Sequence, residues 1–253
     1  MCRYAVISDI HGNLHALQAV YARLQELKVD DLICLGDIVG YGPSPGRCLD
    51  LTIRYTSVCV RGNHEDGVID PDERRTFNGI ARQAIEWTCE SLGPLHINAL
   101  SRLPVRELLD ERILCTHESP DPETVSYIHD IPSASRAMQA LNHDICLIGH
   151  THVPMAFEAP LTGDAEDAAA IVQAHTLNDG GVFEFKDEMR YICNPGSVGQ
   201  PRDSDPRASF GILDTDQGTF TVHRVAYDIE AAQQATQQAG LPVILGQRLA
   251  LGA

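Results

Sequence analysis

Five short β-prone runs in this chain each end on a polar block of Asp, His or Asn, and that recurrence constrains the fold more than any other feature. Tyr4–Ser8 leads into Asp9 and His11, Leu32–Leu35 into Asp37, and Ser57–Val60 into Asn63 and His64. Arg112–Thr116 leads into His117, and Ile145–Ile148 into His150 and His152. In an open α/β sheet, the loops beyond the carboxyl ends of the strands converge on one crevice. The pattern therefore predicts a single rim to which separate loops deliver carboxylate, amide and imidazole groups.

Helical spacing connects the early strands. Leu14, Leu17, Tyr21, Leu24 and Leu27 repeat on one face behind Asn13, a side chain suited to capping. Ser44-Pro45 starts a second helix, with Pro in its first turn. A long helical pattern runs from about Glu73 to Ser91 and carries Phe77, Ile80, Ala84, Ile85 and Trp87. Later segments turn mostly to β, at Met155–Ala159, Val182–Phe185, Arg190–Cys193, Ser209–Leu213 and Phe220–Val225. Helices are expected near Ser133–Asn142 and over Ile229–Ala239. The stretch Leu161–Gly181 is acidic and rich in Ala, Asp and Gly, and reads as a surface insertion between strands. βαβ units followed by a β-rich half predict an α/β chain of two packed sheets covered by helices. At 253 residues one core suffices, so a single domain over residues 1–253 is expected.

Charge narrows the partners. The net charge of -16 removes the long-range attraction on which non-specific binding to nucleic acid or an anionic membrane relies. Neither is expected as a partner. A small phosphorylated substrate remains compatible, because bound divalent cations invert the field locally. No run approaches the roughly 18 apolar residues that a membrane span needs, and the apolar stretch after Tyr4 is too short for a signal-peptide core. Cytoplasmic residence is the expectation. The 8 cysteines include no CxxC pair, which argues against a zinc ribbon or a redox pair. Cys48 and Arg54 have the spacing of a thiol phosphatase, but the residues between them offer no glycine-rich phosphate cradle.

Taken alone, Asp9 could cap a loop, and His117 or His150 could be a satisfied structural histidine. Those readings would have to hold independently at every strand end. A two-metal centre explains the set at once. Oxygen and nitrogen donors without thiolate suit Mn, Fe, Zn or Ni. A carboxylate shared between two such ions can hold them about 3.5–4 Å apart, and a metal lowers the pKa of bound water from 15.7 to about 7, which makes hydroxide available. Glycines at 12, 36, 62 and 149 fall where the chain must turn beside the ions.

The ordered blocks resemble those of the calcineurin-like metallophosphoesterases. D-x-H, G-D, G-N-H-E, H and G-H-x-H stand here as Asp9-Ile10-His11, Gly36-Asp37, Gly62-Asn63-His64-Glu65, His117 and Gly149-His150-Thr151-His152. Asn194-Pro-Gly-Ser-Val198, with Gln200-Pro-Arg202, is similar to the small prokaryotic phosphodiesterase and phosphatase branch, so the resemblance spans roughly residues 3 to 214. It implies a four-layer α/β/β/α sandwich of two mixed sheets flanked by helices, and two divalent metal ions. Asp9, His11, Asp37 and His152 would bind the first ion; Asp37, Asn63, His117 and His150 would bind the second. His64 would face the phosphate and assist the leaving oxygen. Glu65 is expected to support its loop, and His15 to lie on a helix surface. Arg61, Asn194 and Arg202 are candidate substrate contacts.

One departure matters. Protein phosphatases of this superfamily continue the second block as G-D-x-V-D-R-G, where the later Asp orients the catalytic His and the Arg holds phosphate. Here the chain reads Gly36-Asp37-Ile38-Val39-Gly40-Tyr41-Gly42, without either group. A phosphoprotein substrate is thereby disfavoured, and what orients His64 is left open. The expected activity is metal-dependent hydrolysis of a phosphate ester, diester or monoester. The alternatives are a non-catalytic protein-binding scaffold on the same fold, or a nucleotide or phosphoprotein phosphatase. A DNA nuclease is disfavoured by the acidity.

Overall fold

The computed structural model describes residues 2–121, 123, 126–161 and 171–253. Its strands form two mixed sheets of six. In the first, β1 (Arg3–Ile7) pairs parallel with β2 (Asp31–Cys34), which pairs parallel with β3 (Val58–Cys59). On its other edge β1 pairs antiparallel with β11 (Ala208–Asp214), followed by β12 (Thr219–Val225) and β9 (Val182–Glu184). The second sheet runs β4 (Arg106–Leu109), β5 (Ile113–Thr116), β6 (Ile145–Leu147), β10 (Met189–Pro195), β7 (Pro154–Pro160) and β8 (Gln173–Thr176).

Alternation along the strands sets the layers, because successive side chains leave a strand on opposite faces. Tyr4 and Val6 of β1 join Cys115, Leu147, Tyr191 and Cys193 in a core between the sheets. Ala5 and Ile7 point the other way, into a second core. There they meet Leu17 and Val20 of α1 (Leu14–Leu27), Leu49 of α2 (Pro45–Tyr55), Ile85 of α5 (Gly79–Ser91) and Leu100 of α6 (Pro94–Arg102). On the far side, Leu114, Cys146 and Ile192 pack against Ala134, Ala137 and Met138 of α7 (Ile131–Ala140). The order is helices, sheet, sheet, helix, which is the four-layer α/β/β/α arrangement expected. All 8 cysteines are free thiols, and among the described residues no helix is long and apolar enough to cross a membrane.

Several elements differ from expectation. The pattern from Glu73 to Ser91 is two helices, α4 (Pro71–Thr76) and α5, because the backbone turns extended at Phe77 and Asn78. There the Asn78 side chain accepts from the Ala81 N–H at 3.0 Å and restarts the helix as its cap. Leu161–Gly181 is not wholly an insertion loop. Its residues 173–176 form β8, paired to β7, while 162–170 lie outside the described residues. Helix α3 (Asn63–Ile69), α6 and strand β4 carried no recognised signal. After α8 (Ile229–Gln238) the chain forms a further helix, α9 (Val243–Leu249), whose Leu245 packs with Leu241, Ala81, Ala84 and Tyr41.

Candidate metal centre

The strand-end loops meet where the backbone is most constrained. Asp9, His11, Asp37, His150 and His152 all adopt positive φ, between 48° and 67°, and so does Tyr41 at 53°. Left-handed backbone costs an L-residue roughly 1–2 kcal/mol, so surrounding structure must hold each one. The first two loops hold each other: N–H groups of Asp9, His11 and Gly12 donate to carbonyls of Gly36, Asp37 and Ile38 at 2.8–3.0 Å. A further brace comes from residues 197–200. The N–H of Gly199 and the hydroxyl of Ser197 both donate to the Asp9 carbonyl, at 2.9 and 2.8 Å.

Glu65 ties the second and third loops together. One carboxylate oxygen accepts from the N–H groups of Asp37 (2.8 Å) and Gly62 (2.7 Å), and the other from Ile38 (2.8 Å) and Val39 (3.0 Å). Gly62 leaves no space for a side chain, since a Cβ there would overlap Asp37 Oδ1.

Donor atoms of Asp9, His11, Asp37 and His152 lie within 4.8 Å of one another, as do those of Asp37, His117 and His150, so Asp37 belongs to both groups. All six residues are buried. Three imidazoles are fixed from behind by Nδ1–H donation to a backbone carbonyl. His11 donates to Val39 at 3.2 Å, His117 to Leu35 at 2.7 Å and His152 to Gln200 at 2.6 Å. Each Nε2 is thereby turned inward, which is how metal-binding histidines are commonly oriented.

Burial holds His11 and His152 well below the ordinary histidine pKa, so both rings are neutral at pH 7 and their facing nitrogens carry lone pairs. Those nitrogens lie 3.1 Å apart, a separation that suits a hydrogen bond only if one ring gains a second proton, which burial opposes. Asp9 Oδ1 lies 3.3 Å from His152 Nε2, and Asp37 Oδ2 lies 3.6 Å from His11 Nε2. Imidazole lone pairs and carboxyl oxygens converging at these distances fit a bound cation.

The second group behaves differently. Burial works against charge on both His117 and Asp37, but their 3.2 Å approach overrides it. His117 is raised to about 10, and the Asp37 carboxyl is held well below the usual range. In the metal-free chain the His117 proton stands in for a cation. Burial raises Asp9 to about 7. Asn63 Oδ1 is buried without a hydrogen-bond partner among the described residues, and Asn63 lines the same cavity as Asp37 and His150, so an amide oxygen is available to complete the donor set.

These groups open onto a cavity of about 350 Å³ whose wall also includes His64, Arg202, Tyr41, Phe77 and Tyr127. His64 lies with Nε2 4.0 Å from Asp37 Oδ2, and burial lowers its pKa to about 4. The Arg202 guanidinium reaches Gln200 Oε1 at 3.3 Å and leaves its Nε buried without a partner. The other two expected substrate contacts lie elsewhere. Arg61 is paired with Asp66 at 2.7 Å, donates to the Leu103 carbonyl, and is not part of the cavity wall. Asn194 is buried and saturated: it donates to the Gly149 carbonyl and Thr151 Oγ1 and accepts from the Gly196 N–H, bracing the loop that carries His150. From the sequence, the pocket walls were expected in the loops after Tyr41, near Asp66–Phe77 and around Ser119–His129, and Tyr41, Phe77, Ser126 and Tyr127 line this cavity; no individual role was assigned to Tyr41, Phe77 or Gln200.

Comparisons with known proteins point to one family. A family model described as the calcineurin-like phosphoesterase superfamily domain matches residues 2–218. The crystal structure of a metallophosphoesterase from Sphaerobacter thermophilus is similar with a TM-score of 0.85 and 39% identity, covering 100% of this chain and 99% of that one. An uncharacterized protein of Methanocaldococcus jannaschii is 33% identical over 98% of this chain and 97% of its own length. Phosphodiesterase YfcE of Escherichia coli is 25% identical over 85% of this chain and 89% of its own.

Proposed function

The chain belongs to the calcineurin-like phosphoesterase superfamily and is a phosphoester hydrolase, and from that premise we propose that it is a two-metal phosphodiesterase acting on small substrates. The observation that carries this reading is the sharing of Asp37 by two buried donor groups. Asp9, His11, Asp37 and His152 hold one ion; Asp37, Asn63, His117 and His150 hold the other. When bound, the two cations supply Lewis acidity, neutralising phosphoryl oxygens and lowering the pKa of water towards about 7.

The remaining chemistry belongs to side chains. Arg202 offers N–H groups to a phosphoryl oxygen, and its unpartnered Nε supports that role. His64, neutral at pH 7, offers its Nε2–H as a hydrogen bond to the departing oxygen and stabilises the charge developing there, while the proton that the alcohol carries away comes from the attacking water. Water adds to phosphorus, the ester P–O bond breaks, and the alcohol leaves carrying a proton. A diester is favoured because Arg202 is the one cationic side chain among the described residues of the wall, which also includes Glu73 and Glu118. A singly charged phosphate meets less repulsion there than a dianionic monoester. The relative named as a phosphodiesterase supports the same choice.

The test is turnover of bis(p-nitrophenyl) phosphate and p-nitrophenyl phosphate by chelator-treated protein resupplied with Mn, Ni, Fe or Zn. Metal-dependent hydrolysis with higher kcat/KM on the diester is expected. No turnover with any of these metals sinks the reading, and preference for the monoester sinks the choice of diester. His64→Ala should slow turnover roughly 100-fold or more with metal content retained; equal loss of both contradicts its role.

A further inference from the structure

Among the described residues, no carboxylate stands behind His64. Its Nδ1 is buried without a hydrogen-bond partner, and a Cβ on Gly40 would overlap that nitrogen. Gly40 adopts φ +85°, a conformation that side chains resist. The backbone thus occupies the side of the ring where the G-D-x-V-D-R-G pattern supplies an aspartate.

Rings enclose His64 instead. Tyr41 lies 4.5 Å away centroid to centroid, at 61°; Phe77 lies 5.1 Å away at 84°; His11 lies 4.5 Å away at 70°. These are edge-to-face arrangements, which fix orientation because a ring's positive edge seeks the negative face of another. The flanking rings are themselves held. Tyr41 packs with Ala81, Ala84, Leu241 and Leu245, and Phe77, at the break between α4 and α5, packs against the same cluster and lines the cavity.

We propose that Tyr41 and Phe77 are positioning residues that fix the His64 imidazole by edge-to-face packing over the Gly40 backbone, in place of a hydrogen-bonded carboxylate. The inference rests on the reading of His64 as the group facing the departing oxygen. It also assigns a use to the helix break: without it, Phe77 would continue a helix face rather than close one side of the cavity.

Phe77→Leu removes the ring and keeps most of the volume, with Phe77→Met as a second variant should leucine compromise folding. Each is made in the otherwise unaltered chain and in a His64→Ala background, and assayed on bis(p-nitrophenyl) phosphate with Mn. A positioned hydrogen-bond donor to developing charge contributes about 100-fold or more, so losing its orientation should lower kcat roughly tenfold. KM and bound Mn per chain should not move. In the His64→Ala background the same change should alter kcat by less than about twofold, since residues acting through one group do not add. An equal fall in both backgrounds overturns the positioning role and leaves the proposed function standing, as does an unchanged kcat in the parent chain. If His64→Ala alone leaves kcat intact, the reading of His64 fails, and this inference with it.

Discussion

Replacing Glu65 with Gln tests how the metal loops are held, with the side chain's shape preserved. The carboxylate accepts from four backbone N–H groups, two on each oxygen. Glutamine keeps one oxygen, which still serves two of them, and turns an NH₂ towards the other pair. Two buried donors then lose their acceptor at about 1–3 kcal/mol each, so the expected loss is about 2–6 kcal/mol. That is a large fraction of the roughly 5–15 kcal/mol that holds a typical domain together. Burial and the nearby Asp37 raise the Glu65 carboxyl above its ordinary pKa, and the backbone N–H bonds oppose that rise. The bond pattern is that of the ionised form, because a protonated oxygen would face donors with a donor. Guanidinium unfolding of chelator-treated protein, which removes any contribution from bound metal, reads the difference. Asp66→Asn is the control; it breaks a half-exposed pair with Arg61 and should cost about 1 kcal/mol or less. If Glu65→Gln unfolds at the same midpoint as this control, the carboxylate does not serve as an acceptor-only clamp.

Two further outcomes follow from the donor geometry. Asp37→Asn should lower bound metal from about two ions per chain to less than one by elemental analysis, and full retention contradicts a shared position. His117 is held protonated up to about 10 by Asp37 in the metal-free chain, and an imidazole must lose that proton to bind a cation. Metal affinity should therefore weaken as pH falls, and uptake near pH ~8 should release about one proton from this site. Calorimetry in buffers of differing ionisation enthalpy measures the release, and its persistence in His117→Ala would refute the assignment.

Much of the site was legible because its chemistry is written at strand ends. A run such as Tyr4–Ser8 fixes a strand, and Asp9 directly after it can only lie at the rim. βαβ units followed by a β-rich half similarly marked the sandwich, in which Val6 and Ile7 enter different cores. What stayed hidden depends on contacts between distant segments. Arg61 and Arg202 look alike in sequence, but Asp66 occupies the first while the second reaches the cavity. Asn194 sits in a block that reads as a substrate contact, and its hydrogen bonds are spent on the neighbouring loop. The split at Phe77 was masked by helical periodicity on both sides, since apolar spacing does not register an extended residue between two helices. Left-handed backbone at His11, His150 and His152 was equally invisible, because histidine is enriched there over most side chains but still adopts it too rarely to single out a position.

The brace formed by residues 197–200 bears on how the molecule is made. Every proposed metal donor has been synthesised once the chain reaches His152, yet the groups that steady Asp9 and His152 come from Ser197, Gly199 and Gln200. At ~5–20 residues per second the gap from 152 to 200 takes roughly 2–10 s. A nascent chain thus carries every donor for seconds before it can arrange them. Completion of any cation site built from these donors would wait for the turn at 197–200.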